Sequence, residues 1–185
     1  KRTRALLAYL AITARPHRRD RLCEIFWEIP DDPRGALRWS LSKIRPLVND
    51  KGFERLIADR ERVSFLVTEI KTDVNELVDK IDNQELSALE LKEIEQKLQK
   101  TLLEGIELPN QPLFQQWLTG ERQEINRLRG KILARLSFKN EINLSERLKW
   151  IQTWLEVEPF NPKAATHLLV TLEQMGRTDE VAGLT

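Results

Sequence analysis

Arg34, Arg38, Ser42, Lys43 and Arg45 are the residues whose types and spacing point most directly to chemistry. They place four cations and a hydroxyl in one short stretch, and no carboxylate falls between Asp32 and Asp50. A solvated helix face ordinarily mixes charge signs. A face of one sign with hydrogen-bonding groups suits a polyanion, and double-stranded DNA is the polyanion a helix can enter. These residues lie within residues 31–48 (DDPRGALRWSLSKIRPLV), which reads as one capped helix. Asp31 or Asp32 supplies the cap, and Pro33 suits a first helical position whose N–H has no partner. Leu37, Leu41, Ile44 and Val48 recur at helical spacing and call for a core, which turns the basic residues outward. Leu37, Leu41 and Ile44 are expected to be buried, and Arg38 and Lys43 exposed. Arg38, Ser42 and Lys43 are therefore candidates for DNA groove contacts. Arg34 and Arg45 are candidates for phosphate contacts, which position a protein without reading sequence.

Other elements must hold that helix in place. Residues 4–13 (RALLAYLAIT) read as an apolar helix, residues 14–21 (ARPHRRDR) as a basic turn, and Leu22, Ile25, Phe26 and Trp27 as a short helix. A break at Ile29–Pro30 precedes the basic helix. Helix, short helix, turn and longer basic helix is the order of a helix-turn-helix motif, whose second helix enters the major groove. Residues 53–58 (FERLIA) and 62–67 (RVSFLV) then read as two strands with a turn at residues 59–61. That hairpin is a wing, with Arg60 and Arg62 near its tip as further candidates for phosphate contacts.

Charge is divided along the chain. Residues 1–70 hold 15 Lys+Arg and 10 Asp+Glu, and residues 71–185 hold 15 and 19, within an overall balance of +1 over 185 residues. The basic part is the part with the helix-turn-helix pattern. Cys23, the one cysteine, excludes an internal disulfide and is expected to be a buried thiol among Leu22, Ile25 and Phe26. No apolar run is long enough to span a bilayer, and no signal peptide is evident. The chain lacks an initiator Met and opens within a helix, so it reads as a piece of a longer protein. The sequence offers no phosphate-binding glycine loop, no His–Glu metal pattern and no nucleophile–base pair, so neither an enzyme, a cofactor, a metal site nor a small-molecule substrate is expected. His17 and His167 stand far apart, and the Glu residues of 85–107 alternate with Lys and apolar residues as on a solvated helix.

The second half is helical throughout. Helices are expected over residues 73–81, 86–103, 113–136, 144–157 and 164–175, with a loop at 105–112 (GIELPNQP), a Gly176 cap and a last helix over 179–184. Trp117, Leu118 and Trp154 are expected to be buried, holding the long helix against the terminal helix pair. Short connectors, Pro at the joint and Gly after the second helix punctuate residues 143–184 in the manner of tetratricopeptide units, with a plain helical bundle as the alternative.

The runs KRTRALLAYLAIT, RPHRRDRLCEIFW and DDPRGALRWSLSKIRPLV together resemble the start of the SARP-type bacterial transcriptional activators. Those proteins carry an OmpR-type winged helix followed by a bacterial transcriptional activator domain (BTAD). Later motifs resemble that second domain: Thr72-Asp73-Val74, Gly105 to Pro109, Trp117 with Glu121-Arg122, and Glu158-Pro159 through Gly176. The resemblance covers nearly the whole chain and is most specific over residues 34–45. It implies a tetratricopeptide-type helical activator domain, a dimer on direct-repeat DNA and contact with RNA polymerase. Two departures stand out. The strands that precede the family's first helix are not in this sequence, and Trp39 occupies a place beside the basic face where a smaller or polar residue would be expected. Trp39 can pack on the wing, pack on a neighbouring helix, or reach DNA.

The expected fold is thus mainly α, with a winged helix-turn-helix over residues 1–70 and an all-α tetratricopeptide-like domain over residues 71–185. The expected function is sequence-specific DNA binding in transcription regulation, in the cytoplasm, with activation through RNA polymerase. The alternative is an N-terminal regulatory or protein-interaction module of a larger signalling ATPase or nucleotide cyclase.

Overall fold

The computed structural model describes residues 1–27, 32–68, 70, 72–83, 85–177 and 179. The break at Ile29–Pro30, Asp31 as an alternative cap, and all of the expected last helix except Asp179 lie outside the described residues. The protein is mainly helical with a small three-stranded sheet. No helix among the described residues is long and apolar enough to cross a membrane. The chain divides into two compact units, Lys1–Lys71 with Leu102–Glu121, and Thr72–Thr101 with Arg122–Thr185.

The first unit holds α1 (Arg2–Thr13), β1 (His17–Arg18), α2 (Arg19–Phe26), α3 (Pro33–Val48), β2 (Leu56–Ala58) and β3 (Arg62–Phe65). The Asp32 carboxylate caps α3 by accepting the Gly35 N–H at 2.8 Å, with Pro33 in the first turn. Leu37, Leu41 and Ile44 are buried, while Arg38 and Lys43 are exposed, as their helical spacing requires. The core they join includes Leu6, Leu10, Leu22, Phe26, Leu56 and Val63. Cys23 is buried beside Leu22, and burial pushes its thiol pKa up.

The sheet runs β1-β3-β2, antiparallel throughout. Its hairpin pairs Leu56 with Phe65 and Ala58 with Val63, so both strands are shorter than their sequence patterns suggest. Strand β1 was not legible: His17 pairs with Val63 inside what reads as a basic turn. Its alternating pattern is too short to register, and only tertiary pairing makes it a strand.

His17 is buried against Tyr9, with ring centroids 4.9 Å apart. The Thr13 hydroxyl donates to the Tyr9 carbonyl at 2.7 Å, so it has only lone pairs left for His17 Nε2 at 2.7 Å. That fixes the proton of the neutral ring on Nε2. Burial, and secondarily the charge of Arg15, lowers the His17 pKa from its ordinary value. The unfolded chain therefore takes up a proton first as pH falls through about 6.5, which favours unfolding. Thermal melts should show stability declining from pH 7 to pH 5, with a shallower decline in His17→Gln. An equal decline in both proteins would refute this role.

The second unit contains α4 (Asp73–Asn83), α5 (Ala88–Leu98), α7 (Leu144–Val157) and α8 (Pro162–Gln174). Helix α6 (Pro112–Ser137) contributes its opening turns to the first unit and the remainder to the second. At 26 residues it is about 39 Å long, enough to serve two cores. Phe114 and Leu118 are buried in the first core, and Ile132 and Leu136 in one core of the second. This changes the expected role of Trp117 and Leu118. Trp117 is partly buried, and its ring lies 4.8 Å from Tyr9, so these residues serve the first unit instead of bracing the terminal helix pair. Trp154 is buried with Leu133 and Ala164, and its Nε1 donates to Glu158 at 2.8 Å.

Candidate nucleic-acid interface

Helix α3 presents its cations along the band left over once its apolar stripe has met the core. Arg34, Arg38, Ser42, Lys43 and Arg45 are all exposed. At the N-terminal end of that band the hairpin turn approaches, and between them lies a cleft of about 530 Å³ lined by Arg19, Arg34, Arg38, Ala58, Asp59 and Arg60. Four guanidinium groups thus face one open space with a single carboxylate among them. Arg38 and Arg60 make no hydrogen bond or ion pair with the described residues. A guanidinium without such a partner keeps its donors available to a phosphate.

Local chemistry holds the walls in place. The Asp59 carboxylate accepts the N–H groups of Glu61 and Arg62, both at 2.7 Å, which fixes the turn. Those two bonds hold its pKa below the usual carboxylate value. Arg19 ties the turn to α2: its Nε donates to the Asp59 carbonyl at 2.7 Å and its backbone N–H to the Glu61 carbonyl at 2.8 Å. At the far end of α3, Asn49 Oδ1 accepts the N–H groups of Arg55 and Leu56, which joins the helix to β2. Hydrogen bonds thereby hold the hairpin to α2 at its turn and to α3 at its base.

Arg34 is already engaged. Its Nη2 lies 2.7 Å from Asp20 Oδ1, and its Nε donates to the same oxygen at 3.2 Å. Both side chains are well exposed, so the pair orients Arg34 more than it stabilises the fold. Ser42 donates its hydroxyl proton to the Trp39 carbonyl at 2.7 Å, which leaves it as an acceptor. Lys43 holds its ammonium 5.6 Å from the centroid of the Trp39 ring. Ser42, Lys43, Arg45 and Arg62 do not line the cleft.

Three of the seven candidate residues, Arg34, Arg38 and Arg60, therefore meet at one place, together with Arg19. Arg19 escaped sequence reasoning because nothing local distinguishes it from the cations around it in RPHRRDR. The pairing of β1 with β3 sets it beside the hairpin turn. The cleft has no nucleophile–base arrangement, and among the described residues no group of three or more His, Cys, Asp or Glu side chains could hold a metal ion. What the arrangement can do is bind phosphates and present side chains to a groove. No protein-family model matches the sequence, and no curated protein matches it.

Proposed function

We propose that this chain is a double-stranded DNA-binding transcription regulator whose first unit is a winged helix. The observation that carries the reading is the cleft of Arg19, Arg34, Arg38 and Arg60 between the exposed face of α3 and the hairpin turn. In this reading α2 and α3 form the helix-turn-helix, α3 lies in the major groove, and the β2–β3 hairpin is the wing. Arg34, Arg38 and Arg60 contact phosphates at the wing side, with Arg62 and Arg45 extending that contact along the backbone. Lys43 reaches base edges, and Ser42 offers them an acceptor. Arg38, a groove candidate on sequence alone, is given a phosphate in this reading because it lines the cleft with Arg34 and Arg60.

The second unit is proposed as a tetratricopeptide-like activator domain. Supporting this, α7 and α8 pair closely across a short connector, with Pro162 opening α8 and Gly176, at a φ of 73°, following it. The resemblance to SARP-type activators extends the proposal to a dimer on direct repeats in the cytoplasm that activates through RNA polymerase. One observation favours the alternative, a protein-interaction module: Phe138 and Val170 are exposed together beside His167, and Phe138 stacks on that ring at 4.0 Å.

The two roles given to basic residues are separable by salt. A lost phosphate contact weakens binding to every sequence and lowers the salt slope by about one unit. A lost groove contact costs about 1–3 kcal/mol at particular base pairs. Arg60→Ala should therefore lower affinity for selected and random duplexes alike, and Lys43→Ala should mainly narrow the gap between them. Titrations of duplexes selected from a random pool, across a salt series, measure both. If neither substitution alters affinity for any duplex, this face is not a DNA-binding surface and the interaction-module reading takes its place.

A further inference from the structure

Trp39 is the part of the α3 face that phosphate binding leaves unexplained. It is 59% exposed, so it packs neither on the hairpin nor on a neighbouring helix to any depth. A helical side chain leans over the turn that precedes it, and for Trp39 that turn carries Gly35. A Cβ at residue 35 would collide with the Asp32 carboxylate that caps the helix, so the cap itself keeps this position bare. One turn beyond Trp39, the Lys43 ammonium stands 5.6 Å from the ring centroid. An apolar plate and the three-proton donor that stands over it are thus held together on the exposed face. Ser42, between them in sequence, has spent its proton on the Trp39 carbonyl.

In the major groove, thymine presents its 5-methyl group next to the O4 acceptor, whereas cytosine presents an amino donor and no methyl group. Plate beside donor matches methyl beside acceptor. The charge beside Trp39 supports a nucleic acid over a protein segment. One cleft that Trp39 lines together with Lys1 and Arg2 has no acidic side chain among its described lining residues.

We propose that Trp39, with Lys43 beside it, is a specificity-determining side chain that reads the 5-methyl group of thymine. This rests on the DNA-binding reading above, and the two can fail separately. The test uses the whole chain and duplexes of alternating dA–dT, against the same duplexes with deoxyuridine replacing thymidine. That exchange removes the methyl group and keeps O4. The wild-type protein should bind the thymidine duplex at least about fourfold more tightly, the worth of one buried methyl group. Trp39→Ala should bind the two alike, and Trp39→Phe should keep part of the difference. The salt slope should not change in either variant, because no phosphate contact is lost. Equal binding of the two duplexes by the wild-type protein overturns the proposal, as does a difference that survives in Trp39→Ala. Either result leaves DNA binding intact if Arg60→Ala still lowers affinity. Failure of the wild-type protein to bind any duplex at low salt overturns the DNA-binding reading, and this proposal with it.

Discussion

Phe114→Ala is expected to destabilise the first unit by about 3–5 kcal/mol, the usual cost of emptying a buried aromatic site. Phe114 is fully buried, with its ring 5.2 Å from Phe26 and 5.3 Å from Trp117. It lies more than forty residues beyond Lys71, yet it belongs to the core beneath α3. Urea titration followed by tryptophan fluorescence measures the loss. Phe138→Ala is the control, because Phe138 is 58% exposed and surface substitutions of this kind stay within about 0.5 kcal/mol. A Phe114→Ala protein as stable as the control would show that Leu102–Glu121 does not complete the first core. If the expectation holds, the proposed DNA-binding role predicts weaker duplex binding by the variant as well, since α3 rests on that core.

Glu95→Ala should cost the second unit about 3–5 kcal/mol, because it strips a buried cation of its partner. The Glu95 side chain is 2% exposed and accepts two bonds from Arg129, at 2.8 and 3.0 Å, and one from Gln99 at 2.6 Å. Arg129 is only 20% exposed, so water cannot fully replace the carboxylate. By contrast, Glu124→Ala removes a pair with Arg127 in which both side chains are at least 60% exposed, and should change stability by less than about 1 kcal/mol. Thermal or urea unfolding of the two variants tests the ranking. Equal stability would mean that the Glu95–Arg129 pair is not held in the interior.

Sequence pattern served well wherever a signal was local. The Asp32 cap, Pro33 and the Leu37–Leu41–Ile44 stripe specify a helix with one buried face, because a 3.6-residue period and a cap need only the chain's own neighbours. The same holds for α7, whose observed bounds, Leu144–Val157, match its apolar pattern. Helix α5 stops at Leu98, short of the expected end. Beyond it Leu103 takes a positive φ of 53°, a left-handed conformation that apolar periodicity does not encode.

The candidate site divides in the same way. That α3 would expose a positive face was determined by the sequence, since one stripe of leucines and isoleucine leaves only one side for the arginines. Which arginines converge was decided by tertiary structure. Pairing of β1 with β3 sets Arg19 against the hairpin turn, and the Asp59 turn carries Arg60 into the lining of the cleft that Arg38 shares. A two-residue strand has too short a pattern to announce itself, so its place depends on a partner 46 residues away at Val63. The membership of Leu102–Glu121 in the first unit follows the same rule. An amphipathic helix specifies that it must bury a face, but the burial is non-directional, and only the assembled cores select which residues of α6 each of them takes.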